Sequence, residues 1–243
     1  MGKYSFVLSN ELYKEYYHFK KQNAFDKDII IKLLKFRCGE FLTNTKQLQE
    51  IGVEKEVEKT TLISLHKAGF KNQSLEELVN KTDYKLILCT DKSNFPYVNI
   101  NEDSVTVAVI GCYYRDASRN KAISHIKALC KNANQLYLYD TYLYGRNESI
   151  DGLKSILPDK NIEIIYHPDH LTSGDITHLF DVNPKWCFKS DNNIQSHHDR
   201  YIIVDDKVEI ILSSGFHYLT AQSKELTYIV RPIVCNRLLR RMP

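Results

Sequence analysis

His198, Arg200 and Asp205 stand at H-x-R-x4-D spacing in the stretch His198-Asp199-Arg200-Tyr201-Ile202-Ile203-Val204-Asp205. An imidazole that serves as nucleophile or general acid, set beside a permanently charged guanidinium fork, is equipment for phosphate-ester chemistry. Residues Tyr201 to Val204 are aromatic and β-branched and predict a buried strand, with Asp205-Asp206-Lys207 as a turn and Val208 to Leu212 as the hairpin partner. Positions i and i+2 of a strand share a face, so His198 and Arg200 are expected to point the same way from the strand's mouth, and Asp199 to the other side.

The elements that must position this pair follow a change of rhythm along the chain. From about residue 101 strands and helices alternate: strand Val105 to Ile110, helix Ser118 to Lys131, strand Gln135 to Asp140, helix Ser149 to Leu157, strand Asn161 to His167, helix Gly174 to Phe180. Trp186 to Lys189, Tyr201 to Asp205, Val208 to Leu212 and Leu226 to Val230 read as further strands. Alternation of this kind predicts an α/β fold whose mixed, largely parallel sheet is covered on both faces. Residues 1–100 read as a mostly helical region: Ser9-Asn10 as the cap of a helix through about Lys21, an apolar stripe from Asp26 to Leu42, a helix from Glu54 to Ala68, and a capping box at Ser74-Leu75-Glu76-Glu77. Tyr84 to Thr90 reads as a strand, and the Asn- and Pro-containing stretch from Asp91 to Asp103 as a loop that divides the region 1–100 from a domain over 101–243.

With 243 residues, 43% of them hydrophobic, the chain has enough apolar content for a packed core and is not of disordered composition. A formal charge of +3 is too mild to diagnose nucleic-acid binding, although Arg231, Arg237, Arg240 and Arg241 make the C-terminal tail basic. The six cysteines are scattered without C-x2-C pairs, which predicts reduced core thiols and no zinc site. No apolar stretch approaches membrane-spanning length and no secretion signal is visible, so a cytoplasmic location is expected. Two other clusters carry chemistry. His167-Pro168-Asp169-His170 has metal-ligand residue types but no remote third ligand, and Lys185, Trp186, Phe188 and Lys189 alternate as a basic-aromatic strand would.

The spacing of His198, Arg200 and Asp205, the strand after it, the small turn Ser213-Ser214-Gly215 and the acidic Glu225 opening another strand resemble the HKD motif of the phospholipase D superfamily, with Arg200 where that family has lysine. The run from His198 to Leu219 is most similar to the phospholipase D-like domain found C-terminal to microtubule-interacting-and-transport modules and to its bacterial relatives in conflict systems. The resemblance covers about residues 101–235; the asparagine that the family places after the G-S pair is absent.

The resemblance implies a phospholipase D-like mixed sheet flanked by helices and a metal-independent phosphodiesterase without cofactor, a nuclease acting on nucleic acid in bacterial antiviral defence. Because the family faces two motifs against each other and this chain has one, it implies a homodimer with the site on the two-fold axis. His198 would be nucleophile in one subunit and general acid in the other, Arg200 would hold nonbridging oxygens, and Glu225 would orient the imidazole. Ser213 or Ser214 would donate to phosphate, Asp140 and Tyr142 at a strand end would line the pocket, and Asp205 would brace the fold. The alternative is a catalytically silent dimeric module that binds an anionic partner: nucleic acid, a phosphoinositide headgroup or a companion effector protein.

Overall fold

The computed structural model describes residues 4–36, 39–103, 105–106, 110–141, 143, 147–192, 194 and 199–233. His198 and Tyr142 lie outside the described residues. The chain divides into two compact units, Gly2–Ala108 and Val109–Pro243, the latter with Met1.

The first unit is not mostly helical. Its centre is a sheet of strands β1 (Tyr4–Leu8), β2 (Glu40–Leu42), β3 (Ile87–Cys89) and β4 (Tyr97–Asn99) in the order β2-β1-β3-β4, with all its pairings parallel. Helix α1 (Asn10–Lys21) starts directly after β1, where the Ser9 hydroxyl accepts the Leu12 amide. Helix α2 (Lys27–Lys35) is capped by the Asp26 carboxylate. The stripe expected to run helically to Leu42 instead breaks: Gly39 takes φ +131°, where a Cβ would meet Ser5 Oγ at 2.5 Å, and the chain re-enters the sheet as β2. Helices α3 (Thr45–Glu50), α4 (Lys59–Lys67) and α5 (Leu75–Leu78) follow, the last with the capping box of Ser74 and Glu77. One side of the sheet buries Val7, Leu42, Leu78, Ile87 and Tyr97 together, and Tyr17, Leu48, Val53 and Leu65 form a separate apolar cluster. A short strand, β5 (Val105–Thr106), ends the described part of this unit.

In the second unit, β6 (Ile110–Tyr113), α6 (Asn120–Cys130), β7 (Gln135–Tyr139), α7 (Asn147–Ile156), β8 (Ile162–Tyr166) and α8 (Ser173–Val182) alternate; then come β9 (Trp186–Ser190), β10 (Arg200–Val204), β11 (Val208–Leu212) and β12 (Leu226–Pro232). The strands lie in the order β6-β12-β11-β10-β7-β8-β9. The sheet is mixed and flanked by helices, but only β7, β8 and β9 are parallel neighbours; β7-β10, β10-β11, β11-β12 and β12-β6 are antiparallel, which corrects the largely parallel expectation. Insertion of β10 beside β7 is the reason, because the β10–β11 hairpin brings its own antiparallel partner into the middle of the sheet. Tyr137, Tyr139, Ile165, Tyr201 and Ile203 cluster with Ile194 on one face. Alternate residues Leu136, Leu138, Ile202 and Val204 are buried on the other.

Cys38 and Cys235 lie outside the described residues, and the described cysteines divide by position. Cys89 and Cys130 are buried, as core thiols should be, whereas Cys112 and Cys187 are exposed on strands, a departure from the core reading. Among the described residues no helix is long and apolar enough to cross a membrane.

Candidate functional site

Strand direction gathers the chemistry-bearing residues at one edge of the second sheet. Tyr201 of β10 pairs with Tyr139 of β7, so Arg200, at the start of β10, lies beside Asp140, the residue that follows β7. The Arg200 Nε is 3.5 Å from Asp140 Oδ1, with side chains 15% and 1% exposed respectively. A carboxylate this deeply buried requires a compensating cation or N–H donors. Asp140 has both, since its Oδ2 accepts the Phe216 amide at 3.5 Å. At Gly215, beside this contact, a Cβ would crowd the His217 ring, with Nδ1 at 2.8 Å, and would make only ordinary contact with Asp140 Oδ2 at 3.6 Å.

Arg200 also pairs with Leu212 across β10 and β11, which places Ser213 and Ser214 at the same edge. Their hydroxyls hold backbone. Ser213 Oγ accepts the Thr227 amide at 2.9 Å, and Ser214 Oγ donates to the Glu225 carbonyl at 3.1 Å. Glu225 itself precedes β12 with an exposed side chain. The buried Arg119 guanidinium pins this segment, donating Nη2 to the Lys224 carbonyl at 2.6 Å and Nη1 to the Tyr114 carbonyl at 3.0 Å. The structure therefore brings Arg200, Asp140 and the Ser213–Phe216 turn together, with Glu225 at the rim.

Asp205 sits at the opposite end of β10. It adopts φ +49° in the β10–β11 turn, and its Oδ1 accepts the amides of Asn134 at 2.8 Å and Gln135 at 2.9 Å, tying the turn to the start of β7. A short polar side chain tolerates that left-handed conformation.

Sequence reasoning weighed the His167–His170 loop only as a metal site. Among the described residues no group of three His, Cys, Asp or Glu side chains is arranged to hold a metal ion. His170 is instead buried, its ring edge-on to Tyr139 at 4.9 Å and 4.8 Å from the His167 ring. Burial and the neighbouring His167 push its pKa below the ordinary imidazole value, against the opposing pull of Asp140 and Asp169. The signal that finds it is position: it follows β8, a parallel strand whose carboxyl end opens on this edge. His217, packed on Tyr218 beside Gly215, is a second imidazole at this edge that sequence reading passed over.

The lysines beside Trp186 are engaged, Lys185 with Asp159 at 2.9 Å and Lys189 with Glu163 at 3.9 Å. Trp186 itself is buried and donates to the Pro158 carbonyl at 2.8 Å. Of the basic tail, Arg231 pairs with the buried Glu209, and the remaining arginines lie outside the described residues.

No family model matches the chain, and no curated protein matches it. Among solved structures it is similar to NucT from Helicobacter pylori, at 12% identity over 50% of this chain and 84% of that one, with a TM-score of 0.33. It is similar also to Nuc from Salmonella typhimurium, a phospholipase D family member, at 14% identity over 55% of this chain and 84% of that one, with a TM-score of 0.30. TrmBL2, an archaeal chromatin protein, aligns at 12% identity over 49% of this chain and 45% of that one, with a TM-score of 0.26.

Proposed function

We propose that the second unit is a phospholipase D-like phosphodiesterase that cleaves nucleic acid without a metal ion. The observation that carries this reading is the seat of Arg200: a guanidinium at a strand's mouth whose Nε lies 3.5 Å from a buried carboxylate oxygen, an ion pair without a hydrogen bond. Its terminal nitrogens are the donors that a bidentate phosphate contact uses. The Asp140 charge attracts the guanidinium to the strand's mouth, which reduces the ordering needed on binding.

In this reading His198, two residues before Arg200, attacks phosphorus. A nitrogen–phosphorus bond forms as the bond to the leaving oxygen breaks, and a second imidazole protonates that oxygen. Water then attacks the phosphohistidine and restores the imidazole. The second imidazole comes from the same motif of another copy in a homodimer, with Glu225 orienting the ring. The residue pattern from His198 to Leu219 supports membership of the conflict-system branch and a role in bacterial defence.

One observation favours a second reading, a module that binds an anionic partner without cleaving it. Arg200 already shares its charge with Asp140, and Ser213 and Ser214 clasp backbone, so this edge is built as a fixed anion seat. Incubation of the protein with single- and double-stranded DNA and RNA in excess EDTA separates the two. Cleavage that survives EDTA and disappears in His198→Ala establishes the enzyme; binding without turnover in either protein overturns it in favour of the module.

A further inference from the structure

Helix α1 presents Tyr13, Tyr16, Tyr17, Lys20 and Lys21 at i, i+3, i+4, i+7 and i+8, which places them on one stripe. Tyr13 and Tyr17 of that stripe pack on the apolar cluster of Leu48, Val53 and Leu65. The stripe lines a cavity of about 290 Å³ in the first unit, with Glu58, just before α4, among the other lining residues. The volume lies at the small end of ligand sites, which run to roughly 300–1,000 Å³.

The lining is preorganised. Tyr17 belongs to the apolar cluster with Leu48, Val53 and Leu65 and forms part of the floor. The Tyr16 ring is held edge-on by Phe41 at 4.9 Å and by Tyr13 at 6.3 Å. The ammonium groups of Lys20 and Lys21 lie over the rings of Tyr16 and Tyr17, at 5.7 and 6.0 Å from the centroids. Tyr17 is buried and Tyr16 half-buried, so a flat ligand has the Tyr16 ring to stack on, and an incoming anion would draw Lys20 off that ring. Burial pushes the Tyr13 pKa up to about 12, so its hydroxyl remains a neutral donor. Glu58 makes no cap hydrogen bond to its own helix, and its carboxylate accepts only the Thr60 hydroxyl among the described bonds.

We propose that this cavity binds one nucleotide: Lys20 and Lys21 hold its phosphate, Tyr16 stacks on its base, and the Glu58 carboxylate accepts from an exocyclic amine. Stacking on aromatic rings beside a cationic track is the general chemistry of single-strand recognition. A carboxylate acceptor adds selection for bases with an amino edge over uracil, whose carbonyl oxygens it repels. An aromatic cage for a quaternary ammonium is disfavoured by the two lysines at the opening. The site lies wholly in the first unit and stands whether or not Arg200 takes part in cleavage. The nucleotide arrives either free or as one unit of a strand.

The test is isothermal titration of the full chain carrying Arg200→Ala, in EDTA, with adenosine 5′-monophosphate, uridine 5′-monophosphate, an adenine hexaribonucleotide, inorganic phosphate and tetramethylammonium. Adenosine monophosphate should saturate one site. Lys20→Ala/Lys21→Ala and Tyr16→Ala should each weaken it about tenfold, with circular dichroism unchanged, and Tyr16→Phe should keep the affinity. Glu58→Gln should narrow the preference for adenosine over uridine monophosphate. Competition between hexamer and monomer assigns the site to a strand, and binding of the monomer alone assigns it to a free nucleotide. Absence of nucleotide binding, unchanged affinity in the lysine and Tyr16→Ala variants, equal displacement by phosphate, or preference for tetramethylammonium overturns the proposal.

Discussion

Arg200 and Asp140 face each other one step beyond the last paired residues of β10 and β7, with Nε 3.5 Å from a carboxylate oxygen that is almost wholly buried. Truncating one member of such a pair strands the other charge. Arg200→Ala should lower the unfolding free energy by about 2–4 kcal/mol, below the full buried-pair range because the guanidinium is partly exposed. Asp140→Asn, which still accepts the Phe216 amide, should lose about 1–2 kcal/mol. Urea denaturation followed by circular dichroism measures both, and an Arg200→Ala protein as stable as wild type would show that the pair does not hold this edge.

Asp205 ties the far end of β10 to β7 through two amides. Asp205→Ala should cost about 1–2 kcal/mol, because it removes both acceptors and places alanine at φ +49°. Asp205→Asn retains an acceptor and the left-handed tolerance, so its loss should be less than half as large. The difference in urea midpoint between the two variants checks this; equal losses would mean that charge, not hydrogen bonding, is what the turn uses.

His170 links stability to pH. Its folded pKa is lowered, burial being the largest cause, so below the ordinary imidazole value near 6.5 the unfolded chain takes up a proton that the folded chain resists. Stability from this group is therefore complete above about pH 7 and declines as the pH falls through about 6.5. Denaturation at pH 7.5 and 5.5 should show a smaller decline in His170→Phe than in wild type. Identical declines would remove His170 from the pH dependence.

Gly152 lets α7 approach the turn that carries Phe216. A Cβ there would lie 2.1 Å from the Phe216 carbonyl oxygen, and backbone cannot swing aside. Gly152→Ala should cost about 1–3 kcal/mol through overpacking, and it should weaken anion binding at Arg200 because the Phe216 amide sits on Asp140. Thermal unfolding and oligonucleotide titration read the two effects. A stable variant with unchanged binding would mean that the helix and turn separate freely.

The second unit was largely legible in the sequence because most of its strands are short runs rich in aliphatic and aromatic residues, flanked by well-formed helices. The hairpin of β10 and β11 is local, and its register, with Val204 opposite Val208, follows from a short turn. Strand direction was not legible, since it depends on β10 inserting beside β7, from which it is separated by two helices and two strands. Of the first unit's sheet, β3 falls within the strand expected over Tyr84 to Thr90, and the rest escaped for a related reason. Strands β2 and β4 have three residues each, β1 runs straight into α1, and parallel pairing of Val7 with Ile87 leaves no local signature. At the site, Arg200 and the Ser213–Gly215 turn were marked by type and spacing. That Asp140 would seat the guanidinium, and that the serine hydroxyls would clasp the start of β12, depend on contacts distant in sequence.

The most direct test of the account is the affinity of a labelled single-stranded oligonucleotide for two proteins that should not cleave it, His198→Ala and His198→Ala/Arg200→Ala, titrated in EDTA over a range of salt. An Arg200 fork on phosphate predicts that the double variant binds about tenfold more weakly, with a shallower salt dependence by roughly one unit of slope. Equal affinity and equal slope in the two proteins would contradict it.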